Sequence, residues 1–374
     1  MSFSTLELPA GIVFGTDALL SAGPRAAARG NRAVIVTEPA MQTEDHLQRL
    51  REILDESGVD SIVYSELPPG VSTVAGEEAA SLITASKPQT VIGLGGMRVL
   101  AVARYAAEQA FFGRSRGGGS GGRYIEIPTS CRNHFMFRNE SVLTDANSGL
   151  PRIFPLTRGL VSGVIVDPSL TQSLSNKYFA VALLDILLAS IEGYLSEDAD
   201  FLAEIHLTAA IEKLYQSLSI YVRMADDSRA RLRGSEAGML SALGLGRAGQ
   251  GPGGALSYVI NSRHKVPKSW VSAVLLPHIV DLYQESEAPR VARIAGCLGE
   301  DVIGRPVEEV APLASGALRR ILGQLNIPTR LRDLNLSLGD LGEDCAFAMD
   351  LPYLKTAPFR LSEAELYELA KSAF

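Results

Sequence analysis

Short β-branched runs separated by amphipathic stretches fill the chain up to Asp167-Pro168 and then stop, and this change of character constrains the fold more than any other feature. Before it, strands are predicted over 11–14, 33–37, 61–64, 90–93, 124–127 and 163–166, with helices over 44–57 and 76–86. That alternation is the βαβ pattern of a parallel sheet. After it, apolar residues recur at 3–4 spacing over 176–194, 201–224, 235–245, 270–284, 290–298 and 307–325, which predicts helices and few strands. The expectation is an α/β nucleotide-binding domain with a parallel sheet over residues 1–174, then an all-helical domain over 175–374. A length of 374 residues suits two domains of about 100–200 residues each. A nucleotide site is expected at the carboxyl ends of the strands.

Composition excludes several classes of function. With 46% hydrophobic and 21% charged residues the chain can bury a sizeable core, so it is not disordered as a whole. A formal net charge of −7 argues against binding nucleic acid or anionic membrane through bulk charge, and leaves a small molecule or another protein as partner. Cys131, Cys297 and Cys345 are too scattered for a disulfide framework or a metal knuckle, which fits a reducing cytoplasm. The start, MSFSTLELPAG, lacks a basic region leading into an apolar one. No stretch reaches the roughly 18–20 uninterrupted apolar residues of a membrane span, so a cytoplasmic protein with no membrane partner is expected.

Glycine is abundant, and its placement matters. The run RSRGGGSGGR from Arg114 to Arg123 has no strand leading directly into it and no helix after it, and is read as a linker. By contrast VIGLGGMRVLAVARYAA, from Val91 to Ala107, reads as a strand, a tight turn and the start of a helix. Gly93, Gly95 and Gly96 there could turn backbone amides towards a pyrophosphate at a helix N-terminus, or could serve a tight turn alone. The strand at 33–37 ends on Glu38, whose carboxylate could accept from an adenosine ribose and repel a 2′-phosphate, favouring NAD over NADP; alone it could equally be a solvated loop acid.

Seven ordered motifs carry a family resemblance: PAGIVFG (9–15), VIGLGGMR (91–98), IPTS (127–130), VIVDPSLTQSL (164–174), LLDILLASIEGYLS (183–196), AGQGPGGALSYVI (248–260) and VSAVLLPHIV (271–280). Over roughly residues 5 to 285 the chain resembles the iron-containing (group III) alcohol dehydrogenase family, which shares its architecture with dehydroquinate synthases. The resemblance implies a nucleotide-binding α/β domain and an all-helical domain, with NAD(P) and substrate in the cleft between them, and dimers as the usual assembly. It places Gly95, Gly96, Met97, Arg98, Thr129 and Ser130 beside the cofactor.

The departures from the family pattern concern its metal. The resemblance implies one Asp and three His as ligands. Asp185 is present, but Ala189 stands four residues on, Gly254 falls where a V-H-A-type stretch has its His, and Pro267-Lys268-Ser269 replaces P-H-G. Alanine and glycine side chains cannot coordinate, and a protonated lysine has no free lone pair. No metal is expected, His264 with Asp185 being too few ligands for a good site. The family's G-G-G-S, with a following Asp and Lys, has become Gly95-Gly96-Met97-Arg98 with Ala101 and Arg104, and P-T-T-x-G-T-G-S has become Pro128 to Phe135, PTSCRNHF.

Arg263, His264, Lys265 and Lys268 cluster in sequence where the metal would be, which suggests an organic cation in place of the ion and an anionic substrate. Lys268 or His264 could take the hydroxyl proton and offset alkoxide charge, with Asp185 orienting the base; His134 is a third candidate, and Tyr258 suits the core. A β-hydroxy acid oxidised in this way gives a β-keto acid that loses carbon dioxide without a metal. A metal-free branch of this kind resembles the daptide-type peptide biosynthesis dehydrogenases, to which oxidative decarboxylation of a peptide C-terminal threonine is ascribed, and which would act beside other pathway proteins. The expected activity is therefore metal-independent, NAD-dependent oxidation of a hydroxyl group. Two other readings stand beside it, a non-catalytic scaffold and a cyclising lyase of the dehydroquinate synthase type.

Overall fold

The computed structural model describes Leu8 and residues 10–39, 45–67, 72–113 and 122–374. The linker at 114–121 and the start of the helix predicted from residue 44 lie outside the described residues. The chain separates into two compact units that meet between Leu174 and Ser175.

The first unit is built on β1 (Gly11–Phe14), α1 (Ala22–Ala27), β2 (Arg32–Val36), α2 (His46–Glu56), β3 (Asp60–Tyr64), α3 (Thr73–Ser86), β4 (Thr90–Gly95), α4 (Met97–Phe112), β5 (Arg123–Pro128), β6 (Glu140–Thr144), β7 (Pro151–Pro155) and β8 (Val161–Val166). Six strands form one sheet in the order β1-β8-β5-β4-β2-β3, and every pairing in it is parallel. Parallel strands need helices on both faces, so their residues are buried alternately to either side. Ala33, Ile35, Ile92, Leu94, Ile125, Ile127 and Ile165 share one apolar cluster with Leu19, Leu50 and Leu54. Their neighbours Val34, Val91, Tyr124 and Val164 are equally buried, on the side where Tyr124 and Ala103 of α4 both approach Gly93.

The chain steps from β2 outward to β3, then returns to β4 on the other side of β2 and continues away from it to β5. The carboxyl ends of β2 and β4 thus flank a topological switch point, where sheets of this kind take a ligand. Arg123, which begins β5 directly after the glycine-rich linker, pairs with Thr90 at the start of β4, so the linker feeds the opposite, amino end of the sheet. The antiparallel hairpin β6–β7 stands outside the main sheet and lies beyond the strands expected from sequence.

The second unit is helical: α5 (Asn176–Leu195), α6 (Phe201–Arg223), α7 (Ser228–Leu245), α8 (Pro252–His264), α9 (Lys268–Cys297), α10 (Val307–Gln324), α11 (Leu338–Met349) and α12 (Glu363–Ser372). Ser175, Asp200 and Asp227 cap the first three through side-chain acceptors. From Phe179 to Leu195 every residue of α5 is buried, and α6, α7, α8 and α9 pack around it. It is also the single described helix long and apolar enough to cross a membrane by length and composition, although Asp185 and Glu192 interrupt its apolar run, as the expectation of no uninterrupted apolar stretch requires. Because 94% of its apolar window is buried within the protein, it serves as the core helix of the unit. The two helices predicted over 270–284 and 290–298 are joined in α9, with Glu287 non-helical (φ −125°) two residues before Pro289. A proline inside a helix removes an amide and clashes one turn back, which places the break.

Candidate active site

At the switch point, Gly95 ends β4 with φ +157° and Gly96 caps α4. A Cβ on Gly95 would lie 2.7 Å from Val99, so this turn needs glycine, whereas the space beside Gly96 is open to 4 Å. The first amide bonded within the helix is that of Leu100, to Gly96 O at 3.1 Å, which leaves the first-turn amides directed out of the helix end, where the dipole favours an anion. Gly93 serves packing instead. A Cβ there would strike the Tyr124 hydroxyl at 2.3 Å, so this glycine makes room in the core and no phosphate role is needed. Thr129 brings the end of β5 to the same turn by donating its amide to Gly95 O (3.0 Å), and Ser130 Oγ accepts from Arg132 N (3.1 Å). Glu38, two residues beyond β2, accepts from Arg98 at 2.6 Å. The residues present fit a dinucleotide: an open, glycine-lined helix end, with a carboxylate at the neighbouring strand end.

The rebuilt loop after β5 is held from inside. Arg104 of α4 and Glu126 of β5, both wholly buried, pair at 2.6 Å. The same guanidinium donates to the carbonyls of Phe135 and Met136 and, at 3.4 Å, to those of Arg138 and Glu140, and Asn133 donates to the other oxygen of Glu126. His134 is buried in this loop. Motif comparison named Arg104 only as a departure from the family pattern and left Glu126 unnamed, although the sequence carries a signal for the pair: an acid in the buried run YIEIP and a base in AVARYAA need each other.

In the helical unit the structure brings Asp185 and Lys268 together. Lys268, the first residue of α9, donates to Asp185 Oδ1 at 2.5 Å, with the side chains 4% and 0% exposed. It also donates to Ser272 Oγ (3.3 Å), which donates to Ser257 Oγ (3.1 Å). The Tyr258 ring lies 4.7 Å below the ammonium. His264 is placed elsewhere, against Asp344 of α11 at 3.0 Å. Arg263 pairs with Asp344 and Glu343, and Lys265 donates to Ser262 O at 2.6 Å. The expected basic cluster is thus largely neutralised within the unit, and Lys268 faces a carboxylate in place of fellow cations. Such a neighbour favours the charged ammonium.

A further acid was missed by sequence reasoning. Glu192, on α5 and fully buried, accepts the amides of Gly251 (2.9 Å), Gly253 (2.6 Å) and Gly254 (3.0 Å) at the N-terminus of α8. Burial pushes its carboxyl up to about 7, outweighing those three amides and the nearby Lys268 charge. Nothing in the letters G-P-G-G names an anion nest, because the donors are backbone amides.

The residues do not fit a metal ion. Ala189 is buried without a donor, and Asp185 already accepts an ammonium. A Cβ on Gly254 would come within 3.0 Å of Gln250 Oε1 and 3.2 Å of Glu192, so a histidine could begin there only if those side chains gave way by a few tenths of an ångström. Among the described residues no group of three or more His, Cys, Asp or Glu is disposed to hold a metal.

The parallel sheet with its switch-point turn defines an α/β unit suited to a dinucleotide, followed in the chain by a helical unit, and comparison with known proteins gives the family. Residues 9–168 match the family described as "Iron-containing alcohol dehydrogenase", and residues 179–374 match "Fe-containing alcohol dehydrogenase family, C-terminal". The chain is 22% identical over 372 residues to 1,3-propanediol dehydrogenase of Citrobacter freundii, covering 96% of each. It is 26% identical to long-chain-alcohol dehydrogenase 1 of Geobacillus thermodenitrificans, covering 91% of this chain and 89% of that one. The crystal structure of a 1,3-propanediol oxidoreductase superposes over all of both chains with a TM-score of 0.93 at 21% identity. The chain belongs to the iron-containing alcohol dehydrogenase family and is an enzyme, an oxidoreductase of the NAD-dependent alcohol dehydrogenase type.

Proposed function

We propose that this enzyme transfers hydride between NAD and a hydroxyl-bearing substrate without a metal, the Lys268 ammonium standing where its relatives carry a cation. The observation that carries the reading is the buried 2.5 Å pair of Lys268 with Asp185. When bound, NAD would supply the hydride acceptor. Met97 and the turn at Gly95 and Gly96 would hold its pyrophosphate, Glu38 and Arg98 would attend the ribose end, and Thr129 and Ser130 would line the neighbouring strand end.

Hydride loss requires the hydroxyl to shed its proton, and the oxygen is most anionic on the way. A fixed ammonium donating to that oxygen stabilises this charge as a cation would; in oxidation Lys268 takes up the hydroxyl proton as it passes one of its own to Ser272, and in the reverse direction it protonates the alkoxide. Asp185 holds Lys268 charged and in place. Ser272, and Ser257 beyond it, give the ammonium hydroxyl neighbours through which to exchange a proton. His264 is tied to Asp344 and is left as a surface-side alternative base.

For the substrate we propose a β-hydroxy acid, with a peptide C-terminal threonine as the form suggested by the daptide-type resemblance. Its oxidation gives a β-keto acid whose ketone accepts the electrons released as carbon dioxide leaves. Partners on this reading are an anionic small molecule or peptide C-terminus, a second copy of the chain in a homodimer, and other enzymes of the same pathway in the cytoplasm.

The test is elemental analysis of purified protein combined with turnover of a threonine-terminated peptide and NAD. The expected result is no stoichiometric iron or zinc, with a product lacking two hydrogens and one carbon dioxide. One equivalent of iron or zinc required for activity would overturn the metal-free reading, and a retained carboxyl group would overturn the decarboxylation.

A further inference from the structure

The Glu38 carboxylate is not alone at the switch point. Its Oε2 accepts from the Arg98 guanidinium at 2.6 Å, with the two side chains 23% and 30% exposed. The pair spans adjacent strands: Glu38 follows β2, and Arg98 lies in the first turn of α4 directly after β4. The base of this junction is tied as well, since the Thr37 hydroxyl donates to Leu94 O at 2.8 Å. At such a strand end a carboxylate accepts from the free ribose hydroxyls of NAD and repels a 2′-phosphate, while a guanidinium there accommodates that phosphate. Chains commonly place one or the other at this point; here both are present and bonded together.

We propose that Arg98 is a selectivity residue that lets this site take a 2′-phosphorylated dinucleotide as well as NAD. Paired with Glu38, the guanidinium cancels much of the carboxylate's repulsion, and its forked donors can turn from carboxylate oxygens to phosphate oxygens of the same geometry. With NAD the pair stays closed and Glu38 serves the ribose. With the phosphorylated cofactor, Arg98 exchanges one anion for another. The proposal rests on the reading that the Gly95-Gly96 turn holds the dinucleotide.

The test is calorimetric titration of the full-length protein with NAD and with NADP, so that binding is read without turnover. Wild type is expected to bind both. Arg98→Ala is expected to raise the ratio of the NADP to the NAD dissociation constant by about tenfold or more, the scale of a charge-assisted bond to phosphate. Glu38→Gln should lower that ratio below wild type, and adding Arg98→Ala to it should abolish the gain. Where Glu38→Gln still alters the affinities, an unchanged or lower ratio in Arg98→Ala, or no NADP binding by wild type while NAD binds, overturns the proposal and leaves the nucleotide site standing. NAD and NADP affinities that ignore all three variants remove the site from this turn, and the proposal falls with it.

Discussion

Each unit of the enzyme buries an ion pair in its core, and the two pairs are built for different work. Arg104–Glu126 uses a planar guanidinium, with donors directed at a carboxylate and at the carbonyls of the loop it secures. A guanidinium does not give up its proton in a protein, so this pair can only hold structure. Lys268–Asp185 uses an ammonium, a compact charge with hydroxyl neighbours at Ser272 and Ser257. An ammonium can hold a carboxylate and still exchange a proton. Burial alone therefore does not mark a catalytic group; on the proposed mechanism, the capacity to trade a proton separates the two.

The largest effect expected is on stability. Arg104→Ala strands Glu126 and several carbonyls in the core, and removing one partner of a buried pair costs about 3–5 kcal/mol. Chemical denaturation would show it, and Arg104→Lys should recover little because one ammonium cannot reproduce the fork. A loss below about 1 kcal/mol would mean that water reaches Glu126 and that the contrast between the pairs is false.

On the other side of the comparison, Lys268→Met should lower kcat by about 10²–10³-fold, the range for losing one donor to a developing oxyanion. Because that variant also strands Asp185, the informative form is Lys268→Met with Asp185→Asn, which should recover stability and leave turnover low. NAD affinity, measured directly, should stay within a few-fold of wild type. Turnover that returns with stability would make this pair as structural as the first.

How far the sequence led follows from which signals it carries in its letters. All six main-sheet strands were legible because β-branched runs bounded by turn residues spell them out, and α5 and α6 because their apolar residues recur at helical spacing. The hairpin β6–β7 was not, since ESVLT and PRIFP are short, and prolines flank the second. α11 and α12 were also missed, although Ser337 with Asp340 and Ser362 with Glu365 form capping boxes that can be read in advance. In the site, motif order pointed to Asp185 and Lys268. The pairing of His264 and Arg263 with Asp344 was invisible because it joins residues some eighty positions apart. The Glu192 nest was invisible because its donors are amides.

Glu192 adds a buried charge that neither pair neutralises by direct contact, and it predicts a pH dependence. Its carboxyl lies near 4.5 when unfolded and is pushed up to about 7 in the fold. Between those values the folded state holds a proton that the unfolded chain has lost. Its contribution to stability is thus fully present below the unfolded value and is lost as pH rises through about 7, by roughly 3 kcal/mol in all. Thermal unfolding of wild type against Glu192→Gln at pH 5 and pH 8 isolates this share, with a shallower slope expected in the variant. Equal slopes would show that the three amides hold Glu192 ionised throughout.

The smallest effect falls on the cofactor. Glu38→Gly removes the proposed ribose acceptor and releases Arg98, so the preference for NAD over NADP should relax by about tenfold, close to one charge-assisted hydrogen bond. Unlike the two core pairs, Glu38–Arg98 is partly exposed, so its strength should fall with salt, and the change in preference should shrink between low and high ionic strength. The core pairs are sealed from solvent ions and should show no such dependence. A preference unchanged by Glu38→Gly at any salt concentration would remove Glu38 from the cofactor site. A salt-independent change would instead place this pair in the same dry surroundings as Arg104–Glu126.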